Sequence, residues 1–198
     1  MRRMPASRSA SRATWLAGLC FAGLLLAGCA STPWAESRQG RWPLVPEKLP
    51  DPAANEVVIV VNMNSAVGTH AGMFVGSLLS DPAGMYLQAR SEDPRWKRPT
   101  LSDYVRFQME DGDRVLAFRF YLEQRDADAI AARVREHGWG MPLYCAADVQ
   151  NQIAGIGPFR KIRPVGWTSP AQLGEELHYL ANGTLKLGAC VWPDGKRC

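Results

Sequence analysis

Five consecutive β-branched residues, Val57-Val58-Ile59-Val60-Val61, break sharply with the polar positions around them. A continuous apolar run of this length predicts a buried strand. Residues 62–68 are polar and loop-like. Residues 70–79 read as the next strand, Asp81-Pro82-Ala83-Gly84 as a turn, and 85–89 as the returning strand of a hairpin. The charged stretch 91–99, with two prolines, predicts an exposed loop. Residues 101–109 are amphipathic, but the pattern does not fix their state. After the turn Asp111-Gly112-Asp113, residues 115–122 alternate as a strand does: Val115, Ala117 and Arg119 against Leu116, Phe118 and Phe120.

The period then becomes helical. Over 126–137, Ala127, Ile130, Ala131 and Val134 share one face, and Gly138 offers a C-cap. A helix over 145–153 puts Cys145, Val149, Gln152 and Ile153 on one side. Ser169-Pro170-Ala171-Gln172 is a capping-box start with proline at the first helical position. That helix should run to about residue 181, where Asn182-Gly183 stops it. Residues 185–192 read as a last short strand. The expected fold class is α+β, a small antiparallel sheet packed with helices. Residues 56–198 suffice for one domain with a core, and no internal repeat is visible. Residues 30–55 carry Pro33, Pro43, Pro46, Pro50 and Pro52 without an apolar period, and read as a flexible tether.

The first 29 residues are of a different kind. Arg2, Arg3, Arg8 and Arg12 precede an apolar core from Trp15 to Ala27. The core is too short for a transmembrane helix and has secretory flanks. Leu26-Ala27-Gly28-Cys29 resembles the bacterial lipobox. That resemblance implies a lipidated Cys29 and a chain anchored to a membrane rather than spanning it. Ala30, where aspartate would mark inner-membrane retention, implies the outer membrane facing the periplasm. An ordinary cleaved signal or an uncleaved anchor is the alternative.

Removing this segment changes the charge. The whole chain has 23 Lys+Arg and 19 Asp+Glu, a net charge of +4. Four arginines and no acids leave with residues 1–29, so 19 of each remain. A neutral chain argues against nucleic acid and against a polybasic membrane patch. Cys145, Cys190 and Cys198 remain among the cysteines, in a compartment that permits disulfides. Cys190 and Cys198 flank a turn-rich segment and can close a small loop, leaving Cys145 as the odd thiol. Pairing of Cys145 with either one is the alternative. No Cys or His cluster has metal spacing, and neither a metal nor a cofactor is expected.

The candidate chemistry lies in two places. His70 opens an apolar run, Thr69-His70-Ala71-Gly72-Met73-Phe74-Val75-Gly76. Cys145 stands where a helix begins, in Tyr144-Cys145-Ala146-Ala147-Asp148. A thiolate is the nucleophile in thiol catalysis, and a helix N-terminus and an imidazole both favour that form. The opposing reading makes Cys145 an inert core residue and His70 a strand-end histidine. His137, near a helix C-terminus, reads as structural, and His178 as an exposed mid-helix residue. Loop tryptophans Trp96, Trp139, Trp167 and Trp192 read mainly as packing residues.

Blocks 69–84 and 144–153, within the order of elements over 57–155, resemble the papain-like NlpC superfamily of cysteine hydrolases. The order is that of its circularly permuted, lecithin–retinol acyltransferase-like branch, in which His precedes Cys. The resemblance implies Cys145 as nucleophile and His70 as general base and then acid. It implies Asp81, eleven residues after His70, as the group that orients the imidazole. Asp81 equally suits a turn-forming role in its Asp-Pro step. The Cys145 backbone N–H would supply one oxyanion donor. Asn62, Asn64, Gln152 and Tyr144 remain open as the second.

Three functions follow as expectations. The first is a membrane-anchored thiol hydrolase of the cell envelope, cleaving an amide bond in the peptide part of peptidoglycan. The second uses the same Cys and His on a lipid ester. The third is a non-catalytic envelope lipoprotein that uses the fold for binding or assembly. No phosphate loop, Ser nucleophile elbow or dinucleotide fingerprint is present.

Overall fold

The computed structural model describes residues 49–198 apart from 139, 142, 184, 185, 194 and 195. The expected leader, Cys29, residues 30–48 of the expected tether and Trp139 lie outside the described residues. Five strands form one antiparallel sheet: β1 (Glu56–Asn62), β2 (His70–Val75), β3 (Leu78–Ser80), β4 (Val115–Tyr121) and β5 (Ala189–Val191). Their order is β3-β2-β1-β4-β5, so the β-branched run forms the central strand. The helices are α1 (Met85–Ser91), α2 (Leu101–Gln108), α3 (Gln124–His137), α4 (Cys145–Ile153) and α5 (Pro170–Asn182).

The sheet is covered on both faces, which is why β1 is buried at every position and shows no alternation. Val57, Ile59 and Val61 face a core made with Ile130 of α3, Val149 of α4 and Leu173 and Leu177 of α5. Val58 and Val60 face a second core with Tyr86 of α1 and Leu101, Tyr104 and Val105 of α2. Each fully buried β1 side chain is worth roughly 1.5–3 kcal/mol of transfer free energy. The edge strands β3 and β5 have three residues each, which leaves little unpaired ladder.

Two expected strands differ from what is observed. The stretch 70–79 is a hairpin rather than one strand: Gly76 takes φ 55°, a left-handed turn between β2 and β3. The stretch 85–89 is helical. The Asp81 carboxylate accepts the backbone N–H of Tyr86 at 3.0 Å, stabilising the first turn of α1. The unassigned stretch 101–109 is the helix α2 followed by a 3-10 turn, with Thr100 accepting from the Asp103 N–H at 3.2 Å. Helices α3, α4 and α5 stand where the periodicity places them, and Ser169 and Gln172 form the full capping box.

The domain also begins earlier than residue 56. Leu49 is buried in the second core. Asp51 accepts the Leu101 N–H at 2.9 Å and pairs with Arg98 at 3.0 Å. Glu56, almost fully buried, holds Arg119 in a two-pronged pair at 2.7 and 2.9 Å. Residues 49–55, assigned to the tether from composition, therefore belong to the folded unit. Among the described residues, no helix is long and apolar enough to cross a membrane.

Candidate active site

His70 is the first residue of β2, opposite Asn62 at the end of β1. Alternation along β2 turns it toward the α1–α2 side of the sheet, with Gly72 and Phe74. Asp81 directly follows β3, the neighbour of β2. The hairpin thus brings residues eleven apart into contact: His70 Nε2 lies 2.9 Å from Asp81 Oδ1. Asp81 is buried, and its other oxygen accepts the Tyr86 N–H at 3.0 Å and the Leu87 N–H at 3.4 Å. Asp81 thus meets the imidazole with one carboxylate oxygen and the start of α1 with the other. A carboxylate only accepts, so a neutral imidazole that bonds one through Nε2 carries its proton there and its lone pair on Nδ1.

A third group completes the cluster. The Tyr104 hydroxyl lies 3.0 Å from His70 Nε2 and 3.4 Å from Asp81 Oδ1. Burial, with the Asp81 carboxylate next in size, holds this phenol well above its ordinary value, so it remains protonated. Sequence reasoning missed Tyr104. A trace of it was the glycine in His-Ala-Gly: a Cβ at position 72 would collide with the Tyr104 hydroxyl.

Cys145 is the first residue of α4 and is completely buried. It stands outside any disulfide, because Cys190 and Cys198 are bonded to each other. This pairing selects one of the two alternatives open in the sequence. Its N-cap, Tyr144, makes no side-chain capping bond, and Leu143 takes φ 75°, a strained turn into the helix. Helix α4 packs along β2. Cys145 also bears electrostatically on Tyr104, the group bonded to His70. The loop before α4 is fixed to the Asp81 turn, since the Gly140 N–H donates to the Pro82 carbonyl at 2.9 Å.

The proposed oxyanion donors separate. Asn62 donates to the Gln108 carbonyl at 2.8 Å and accepts from Asn64 at 2.8 Å, and Asn64 also accepts from the Arg114 N–H at 3.0 Å. Both amides brace the connections around β1. Gln152 is two turns beyond Cys145, about 10 Å along the helix axis. Tyr144 remains adjacent to the thiol. His137, read as structural, has its Nε2 3.0 Å from Asp148 Oδ1. Burial raises the Asp148 carboxyl above its ordinary value, and His137 opposes that shift in part. His178 is exposed and bonds Asn182 at 3.1 Å. Among the described residues, no group of three or more His, Cys, Asp or Glu side chains is arranged to hold a metal ion.

No protein-family model, curated protein or solved structure matches this chain.

Proposed function

We propose that this protein is a thiol hydrolase of the cell envelope, tethered through a lipid on Cys29, with a circularly permuted papain-like domain. The bond between His70 Nε2 and Asp81 Oδ1 carries the reading. It leaves Nδ1 as a base; α4 packs on the other face of β2, and Cys145 at its N-terminus bears electrostatically on Tyr104, the group beside that imidazole. In this mechanism the Cys145 proton passes to His70 Nδ1 and the thiolate attacks an amide carbonyl. The imidazolium returns the proton to the leaving amine, and water then cleaves the thioester by the same base. Asp81 stabilises the imidazolium throughout. The peptide part of peptidoglycan is the substrate that fits an outer-membrane lipoprotein facing the periplasm, and a lipid ester is the alternative acyl donor.

One observation favours a different reading. Cys145 has no exposed surface, and His70 is nearly as buried. An inert core thiol would make the protein a binding or assembly lipoprotein.

The rate of Cys145 alkylation by iodoacetamide against pH separates the two. In a chain carrying Cys20→Ser and Cys29→Ser, Cys145 is the one thiol outside the disulfide. A hydrolase predicts a reactive thiolate well below pH 8, weakened by His70→Ala, and justifies assays on muropeptides and lipid esters. A thiol inert across the pH range until the protein unfolds would sink the enzyme reading.

A further inference from the structure

We infer that Tyr104 is a positioning residue for His70, a role that rests on the thiol-hydrolase reading. A single hydrogen bond from Nε2 to Asp81 leaves the imidazole able to swing about that contact. Here the same nitrogen meets a second oxygen, from a different element: Asp81 follows β3, whereas Tyr104 belongs to α2. Two partners on one nitrogen restrict the ring to one plane and one direction for Nδ1.

The Tyr104 ring is itself held. It packs edge-on against Phe74 at 5.6 Å and Tyr86 at 5.1 Å between ring centroids. Tyr86 is fixed in turn by donating to Asp103 at 2.9 Å, and Arg90 grips the same carboxylate at 2.7 and 2.9 Å. The hydroxyl reaches the imidazole only because position 72 carries no side chain. As a protonated phenol it also donates toward Asp81 Oδ1, so that oxygen receives both the imidazole and the phenol proton. The ring packing and the space at position 72 hold this hydroxyl beside one ring nitrogen, and neither depends on the Tyr86 hydroxyl.

The test uses the full chain with Cys20→Ser and Cys29→Ser, comparing Tyr104→Phe with Tyr86→Phe. The second variant removes a hydroxyl that does not touch His70 but belongs to the same aromatic packing. With both variants folded by circular dichroism, Tyr104→Phe should slow Cys145 alkylation at pH 7 about tenfold or more. Its pH midpoint should move toward the ordinary thiol value of about 8.5, while Tyr86→Phe leaves the midpoint in place. The His70 ring resonances should be a single set in the parent and doubled or exchange-broadened in Tyr104→Phe. Unchanged ring resonances, or equal midpoint shifts in both variants, would overturn the inference. Should Tyr104→Phe not fold, the tyrosine ring labelled with 3-fluorotyrosine keeps it testable: a more acidic phenol that leaves the alkylation profile untouched also overturns it. Ring resonances that respond while alkylation ignores both Tyr104 and His70→Ala would leave the positioning intact and reject the hydrolase reading.

Discussion

Gly72 on β2 and Tyr104 on α2 fit together only because one of them has no side chain. A Cβ at position 72 would collide with the Tyr104 hydroxyl and approach its Cζ to 2.8 Å, with the Ser80 carbonyl at 3.1 Å on the other side. Gly72→Ala should therefore lower stability by about 1–3 kcal/mol through overpacking. Tyr104→Phe removes the atom that collides first, so the double variant should lose less than the two single variants together. Urea unfolding of the four proteins measures this coupling, and strict additivity would contradict the contact.

Tyr86 should betray itself in alkali. Burial, reinforced by Asp103, pushes its hydroxyl up to about 12 from an ordinary value of 10.0. The neutral phenol favours the folded state, fully below pH 10. That contribution disappears as pH rises toward 12, because the unfolded chain ionises first. The stability difference between the parent and Tyr86→Phe should shrink over this window. Unfolding curves at pH 8 and pH 11 would show it, and curves that stay parallel would refute it.

Asp148 should act in the acid range. Its carboxyl is raised above 3.8 in the folded protein, chiefly by burial. A raised value means that the protonated form is the one folding favours. Its contribution is present below pH 3.8 and is lost as pH climbs through the folded value. Asp148→Asn should therefore gain on the parent between pH 3.5 and pH 7, read as the difference in melting temperature. A variant that instead loses ground would mean that pairing with His137 outweighs burial.

The Cys190–Cys198 bridge closes a short loop, with a sequence separation of 8. Loop-closure entropy for that size amounts to about 2–3 kcal/mol. Cys190→Ser with Cys198→Ser should lower stability by that order. The larger part of the loss should appear near β5, because buried Cys190 lies opposite Phe118 in the β4–β5 pairing. Hydrogen exchange localised to β5, with β1 still protected, would be the signature.

The elements legible in the sequence are those whose cause is local. The β1 run needs only its own five residues, and α5 declares itself in Ser169, Pro170 and Gln172. Helix α1 differs from the expected strand because it spans seven residues, too few to display a period. Its stabilising carboxylate sits upstream of the Gly84 turn. The 70–79 stretch hid its turn because a single glycine, at a left-handed φ, makes it. In the site, Asp81 stands out only through the resemblance, which implies an orienting group near His70; the residues alone place the turn at 81–84, whereas the chain turns at Gly76. Tyr104 does not stand out, because it meets His70 across 34 residues, from a segment whose state the pattern leaves open. Burial of Cys145 depends on two helices and the sheet together, and no sequence window contains it.

The folded unit begins with a mechanical clasp. Leu49 is sunk in the core, the Pro50 carbonyl takes Arg119 at 3.3 Å, and Asp51 is locked to Leu101 and Arg98. All of this gathers toward the Glu56 end of β1, whereas His70 stands opposite Asn62 at its other end. Six residue steps along a strand separate the two, roughly 20 Å. A pull on the chain upstream would be borne by the clasp and spread in shear across the β1 ladders with β2 and β4. The clasp also reaches the imidazole cluster by a second route: Asp51 holds Leu101, and Tyr104, one turn further along α2, stands beside His70, so a pull on residue 49 loads the helix that carries that hydroxyl.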